Sequence, residues 1–251
     1  NIKYISKILI VMNSLATKRI MNDIKILKKS QIEKENIFVS TNDDDIYNLK
    51  AMIVGPPTKN APYQGGFYFF NINYPKNYPL SPPKVEFCTL GKNRDVRFNP
   101  NLYSAGKVCL SILGTWSGPG WTSSHSIKDV LIVLQSLLHE HPIQNEPGWE
   151  NETGIKSRNY NIVLAYYNIK VATLQMIEDT PPTFEVFKDV MLDYFVNHIE
   201  DYFNFMSEYD SWEGQKIKSG LYSMIIDFKM GELKEKLRDL YLKHEEKYLQ
   251  S

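Results

Sequence analysis

Between residues 36 and 89 the chain reads as four short segments rich in Val, Ile, Phe and Tyr, each closed off by turn residues. That succession constrains the fold more than any other feature. Asn36 to Ser40, Asp45 to Val54, Gly66 to Tyr74 and Lys84 to Thr89 have the β-branched and aromatic content of strands. Gly55-Pro56-Pro57, Gly65-Gly66 and the prolines at 79, 82 and 83 punctuate them. The pattern predicts a four-stranded antiparallel meander. Pro79, Pro82 and Pro83 lack an N–H donor, so they belong to a stiff entry into the fourth strand rather than to a paired one.

Helical periodicity flanks this block. Ile20, Ile24 and Leu27 fall on one face between Ser14 and Lys29, with Lys18, Lys25 and Lys29 on another. Ser126-Ile-Lys-Asp129 has the form of a capping box, followed by a wide apolar face of Ile127, Val130, Leu131, Leu134, Leu137 and Leu138. A further helix carries Val163, Leu164, Tyr167, Val171, Leu174 and Ile177 and stops before Thr180-Pro181-Pro182, the clearest boundary in the chain. Beyond it Phe184, Phe187, Met191, Phe195, Ile199, Tyr202 and Met206 step by three or four. A last helix carries Leu233, Leu237 and Leu240, with Glu232 four residues before Lys236. The expected class is α+β, with three parts: a lead segment 1–14, a core 15–179 and a helical extension 180–251.

Composition narrows the function classes. A hydrophobic content of 43% excludes wholesale disorder, and a formal charge of zero offers no global argument for nucleic acid. Residues 1–40 nevertheless hold eight Lys/Arg against three Asp/Glu, while residues 180–251 hold nine against fourteen. Solvated faces or a basic docking patch both fit that split. Two cysteines, Cys88 and Cys109, make neither a disulfide framework nor a metal pattern. Lys7-Ile-Leu-Ile-Val-Met12 is too short to span a bilayer, and, read as a signal peptide, it lacks a convincing small-residue cleavage site. A start at Asn1 is compatible with a truncated beginning. These features lead to an expected cytoplasmic or nuclear location, without membrane or nucleic-acid partners.

Residues 90 to 126 carry almost no regular pattern, and an irregular connection of this length inside a compact domain is usually functional. Cys109 lies within it, in the run Arg97-Phe-Asn-Pro-Asn-Leu-Tyr-Ser-Ala-Gly-Lys-Val-Cys-Leu-Ser-Ile-Leu113. Upstream stands Tyr78-Pro-Leu-Ser-Pro-Pro-Lys-Val-Glu-Phe87. Downstream stand Leu113-Gly-Thr-Trp-Ser-Gly-Pro-Gly-Trp121 and Asn145-Glu-Pro-Gly-Trp149. On these motifs, residues 15 to 179 resemble the core of ubiquitin-conjugating enzymes. They are most similar to the large Z-type members, which also carry a helical extension.

The resemblance implies that Cys109 carries ubiquitin, or a ubiquitin-like modifier, as a thioester and passes it to a substrate lysine or a ligase cysteine. A thiolate is the attacking species in such chemistry, and a free thiol favours a reducing compartment. Asn101 matches the family's catalytic asparagine, as an oxyanion donor, a loop brace or both. Asn99, before Pro100, departs from the usual His, and Ser111 departs from the usual Asp. Glu146 stands where many members place an acid that positions or deprotonates the incoming lysine. Lys18, Arg19, Lys25 and Lys28 match by location the surface that docks the activating enzyme. Leu80, Trp116 and Ser123 fall in the ligase-facing loops, with Trp121 expected to pack. His139, His141 and Cys88 are expected to be structural or surface residues. No metal or organic cofactor is implied, since ATP is consumed by the activating enzyme.

Two other classes stay in view. A non-catalytic relative would bind ubiquitin without reacting, but such proteins lack the cysteine. A cysteine hydrolase would need a His oriented by a third group, and the local signatures of such enzymes are missing around Cys109.

Overall fold

A computed structural model describes residues 15–42 and 45–248. The expected lead segment 1–14 lies outside the described residues. Helix α1 (Leu15–Ser30) leads into strands β1 (Ile37–Asn42), β2 (Asp45–Val54), β3 (Phe67–Asn73) and β4 (Lys84–Phe87). They pair antiparallel in sequence order, with Ala51 opposite Phe70 and Phe70 opposite Phe87. Residues 88 to 126 have only a single 3-10 turn, Ser111–Leu113, as regular structure. Helix α2 (Ile127–Ser136) then opens on the expected box, the Ser126 N–H donating to the Asp129 carboxylate at 2.7 Å.

Helix α3 (Ile155–Tyr167) continues without interruption into a π-helical stretch, Asn168–Gln175, and a last α turn, Met176–Glu178. The sequence pattern reads as one plain helix, and the widening is the difference. It begins at Asn168, which is fully buried, donates to the Gln64 carbonyl at 2.8 Å and accepts from the Tyr68 hydroxyl at 2.6 Å. π-Helical turns are rare inside α-helices.

The extension is helical as expected: a 3-10 segment Pro182–Phe187, α4 (Lys188–Asn197), α5 (Ile199–Ser207) and α6 (Met230–Tyr248). The helical stripe from Phe184 to Met206 breaks at His198. Between α5 and α6 lies a hairpin that periodicity did not predict, β5 (Lys216–Lys218) paired with β6 (Ile225–Asp227). In α6, Glu232 takes its ion pair from Lys229 at 2.8 Å.

Strand β3 decides how the extension packs. Phe67, Tyr68, Phe69 and Phe70 are all fully buried, although successive strand residues face opposite ways. Both faces of the sheet are therefore covered. Tyr68 meets Phe98 edge-on at 5.4 Å on the face that carries the Cys109 loop. On the other face Phe69 stacks on Phe184 at 4.7 Å, and Phe67 meets Tyr194 at 6.1 Å. Tyr202 of α5 donates to the Gly65 carbonyl at 2.6 Å. Gly65 has φ +70°, and a Cβ there would sit 2.6 Å from the Tyr202 ring, so both backbone conformation and space require glycine. Lys188 and Thr180 bond carbonyls in the last turn of the α3 helix, at Ile177 and Met176.

Phe184→Ala removes a ring that is 2% exposed and should cost about 3–5 kcal/mol. Urea denaturation should show one cooperative transition for the whole chain, moved to lower midpoint by this change. Two transitions, with only one moved, would mean that the extension unfolds by itself.

Candidate active site

The loop around Cys109 belongs to no regular sheet and is held by isolated backbone bonds together with side chains. The Cys109 N–H donates to the Asn101 carbonyl at 2.9 Å, and the Asn101 amide Nδ2 donates to the Cys109 carbonyl at 2.6 Å. Both backbone groups of the cysteine are thus tied to one residue. Asn101 receives its own support from Asn99, whose Oδ1 accepts the Asn101 N–H at 2.9 Å. Asn99 is fully buried and donates through Nδ2 to the Leu137 carbonyl, at the end of α2, at 2.9 Å. Where the family usually has His, a residue with both donor and acceptor performs this bracing. Asn101 is therefore a brace in this structure, and its amide retains a second N–H. Cys109 itself is 1% exposed.

Glu146 reaches the same assembly through its neighbour. Asn145 donates to Asn99 Oδ1 at 3.3 Å, linking the 142–146 turn to the Pro-Asn turn. The Glu146 carboxylate accepts a hydrogen bond from the Tyr222 hydroxyl of the extension. Burial, reinforced by that carboxylate, raises the Tyr222 phenol well above its ordinary value, so it stays protonated and donating. The Tyr222 ring also lies over the Arg97 guanidinium at 4.2 Å, with Tyr103 on the other side at 3.5 Å. Arg97 in turn donates to the Pro100 carbonyl at 2.7 Å. Cys109, Asn101, Pro100, Asn99 and Glu146 are thus brought together, with Ser111 half-buried two residues beyond the cysteine.

The residues expected to dock the activating enzyme and to face the ligase lie on α1 and on the loops around residues 80 and 116–123. Lys18, Lys25 and Lys28 are exposed on α1. Arg19 is not free: it pairs with buried Asp23 at 2.8 Å and donates to the Ser123 and His125 carbonyls at 2.7 and 2.5 Å. Asp23, an acid on the buried face of α1, also accepts from the Tyr78 hydroxyl. Trp121 packs as expected, against Tyr78, with its indole N–H on the Pro79 carbonyl at 2.7 Å. Leu80, 78% exposed, and Ser123 therefore flank one joined surface. Trp116 is 41% exposed.

The sequence motifs assign no role to three residues of the site. Arg97 begins the cysteine run without an assigned role, Asn145 precedes the suspected acid, and Tyr222 lies 76 residues from its partner. His139 is half-buried: its Nδ1 accepts the His141 N–H at 3.1 Å, and burial lowers its pKa, which suits a structural neutral imidazole. Among the described residues no cluster of side chains could hold a metal ion, and no helix is long and apolar enough to cross a membrane.

Comparison with known proteins gives a consistent result. The family profile described as "Ubiquitin-conjugating enzyme" matches residues 19–163. Human "Ubiquitin-conjugating enzyme E2 Z" is 43% identical over 185 residues, 73% of this chain and 51% of that protein. The protein of the same name from Xenopus tropicalis is 36% identical over 231 residues, 92% of this chain and 72% of its own. That from Danio rerio is 40% identical over 201 residues, 80% and 60% of the two chains. The chain spans about half the length of the human relative it matches.

Asn99→Ala would leave the buried Leu137 carbonyl and Asn101 N–H without partners, a loss of about 2–4 kcal/mol. Urea denaturation measures it, and a neutral result would remove Asn99 from its bracing role. Burial, with the Glu86 carboxylate adding, pushes the Cys88 thiol from 9.0 up to about 11. Its thiolate fraction at pH 8 is then about a hundredfold below that of an ordinary thiol. In a Cys109→Ala background, alkylation of Cys88 by iodoacetamide should be slow at pH 8 and keep rising to about pH 11. A plateau near pH 9 would contradict this account.

Proposed function

The chain belongs to the ubiquitin-conjugating enzyme family, and from that premise we propose that it carries ubiquitin or a ubiquitin-like modifier as a thioester on Cys109. The observation that best supports this reading is the pair of bonds fixing both backbone groups of Cys109 to Asn101. A nucleophile that must meet a large, externally delivered carbonyl gains from a fixed backbone position.

In the charging step the Cys109 thiolate attacks the thioester carbonyl held by the activating enzyme. A new C–S bond forms, the old one breaks, and the activating enzyme's cysteine leaves as thiolate. Nothing is oxidised or reduced. Because Cys109 is 1% exposed, the modifier's tail reaches the sulfur only when the surrounding loops give way. In the discharge step a lysine amine attacks the carbonyl, the oxyanion collapses, an amide forms and Cys109 leaves. A ligase cysteine in place of the amine gives a second transthiolation. Asn101, through its remaining N–H, stabilises the oxyanion as well as bracing the loop. Glu146 holds the incoming ammonium and takes its proton as the amine becomes nucleophilic.

Residues 15–179 act as the conjugating core and 180–251 as its packed extension. Lys18, Lys25 and Lys28 form the exposed part of the activating-enzyme surface, while Arg19 shapes it by bracing residues 123 to 125. Leu80 and Ser123, with Trp116 nearby in sequence, face the ligase. A cytoplasmic or nuclear compartment suits the free thiols.

A charging assay tests the reading. The chain is mixed with ATP, activating enzymes and modifiers, and run on gels with and without reductant. The expected product is a reductant-sensitive band one modifier heavier, lost in Cys109→Ala and replaced by a reductant-resistant oxyester in Cys109→Ser. Asn101→Ala should slow discharge to lysine more than charging, and equal slowing would exclude the oxyanion role. A folded chain that forms no adduct with any pair would instead be a modifier-binding module.

A further inference from the structure

The β5–β6 loop of the extension ends beside the site. Gly220 lies so close to the start of α3 that a Cβ there would sit 2.7 Å from the Lys156 Cβ and 2.8 Å from its carbonyl oxygen. Met224 receives the Arg97 N–H on its sulfur at 3.4 Å. Between these anchors Tyr222 and Ser223 take φ +61° and +53°, a left-handed conformation that side chains other than glycine seldom adopt. Such strain persists where the surroundings over-determine it. Here the surroundings are two site elements: the Glu146 carboxylate, which accepts from the Tyr222 hydroxyl, and the Arg97 guanidinium under its ring. Arg97 also holds the Pro100 carbonyl.

We propose that Tyr222 is a positioning residue for aminolysis: the extension reaches over the core to fix the Glu146 carboxylate in the orientation that receives the acceptor lysine. This deepens, and rests on, the assignment of Cys109 as thioester carrier and Glu146 as acceptor-side acid. One carboxylate oxygen takes the phenol's hydrogen bond, and lone pairs remain on the carboxylate for an ammonium. The same ring, stacked on Arg97, ties the carboxylate's position to the Pro-Asn turn that braces Cys109. The extension thereby belongs to the acceptor site and not only to the stability of the sheet.

Tyr222→Phe removes the hydroxyl and keeps the stack on Arg97. The full chain is charged to completion, the activating enzyme is quenched, and single-turnover discharge onto free lysine is followed across lysine concentrations. Rates are normalised to the charged pool, so unfolded protein does not contribute. The maximal rate should fall about tenfold, on the scale of one charge-assisted hydrogen bond. The half-saturating lysine concentration should move less, since an unanchored carboxylate still attracts an ammonium. In a Glu146→Ala background the same change should have no further effect, because the hydroxyl then has nothing to hold.

An equal slowing in both backgrounds, or none in the native background when Glu146→Ala is itself slow, would overturn the positioning role alone. Normal discharge by Glu146→Ala would overturn the acid's assignment and the proposal with it. Absence of any thioester would overturn the carrier reading beneath both.

Discussion

Buried chain without a regular ladder must satisfy its N–H and C=O groups some other way, and the buried parts of residues 88 to 126, above all 96–102 and 108–113, face that constraint directly. Isolated backbone bridges supply part of the solution, and a set of polar side-chain tips supplies the rest. Thr89 extends β4 beyond its end, accepting the Phe69 N–H and donating to the Phe67 carbonyl. Tyr160 and Tyr63 donate to the carbonyls of Arg97 and Phe98 at 2.9 and 2.6 Å. Asn99 and Asn101 serve the Leu137 and Cys109 carbonyls, and Thr115 serves the Val108 carbonyl and the Leu110 N–H. Each removes a polar group whose desolvation would otherwise oppose folding. The position of Cys109 follows from this arrangement.

Those side chains need rigid supports, which explains why the sheet is buried on both faces. Tyr63 lies behind the loop against Tyr68, and Tyr68 hydrogen-bonds Asn168 at the start of the π stretch. The opposite face of β3 would expose Phe67 and Phe69 without the extension. Phe184, Phe187 and Tyr194 cover it. One strand thus couples the extension to the site through the sheet, while the β5–β6 loop couples them again from the front through Tyr222. Stability and chemistry share the same residues.

Much of this was legible beforehand. The four strands, the capping box at Ser126, the helix stop before Thr180 and the motif around Cys109 all depend on neighbours within a few positions, and such patterns survive in one dimension. The unbroken aromatic run from Phe67 to Phe70 was also a usable signal. Alternation of polar and apolar residues would have left one face in water, and its absence calls for cover on both. The β5–β6 hairpin escaped because three-residue strands are too short to show a period. The sequence places Arg19 with Lys18, Lys25 and Lys28 on one basic surface, yet Arg19 lies beside buried Asp23 and is engaged by the backbone of residues 123 to 125.

Local chemistry in the sequence determined the elements, their order and the motif that contains Cys109. Only the tertiary structure decided what holds Cys109 and the Glu146 carboxylate. Asn145 on Asn99, Arg97 between two tyrosines and Tyr222 on Glu146 are contacts between residues that share no helix or strand. No spacing rule relates them. Hydrogen bonds and ring stacks reward proximity in space, and proximity in space exists only once the sheet and its two covers have assembled.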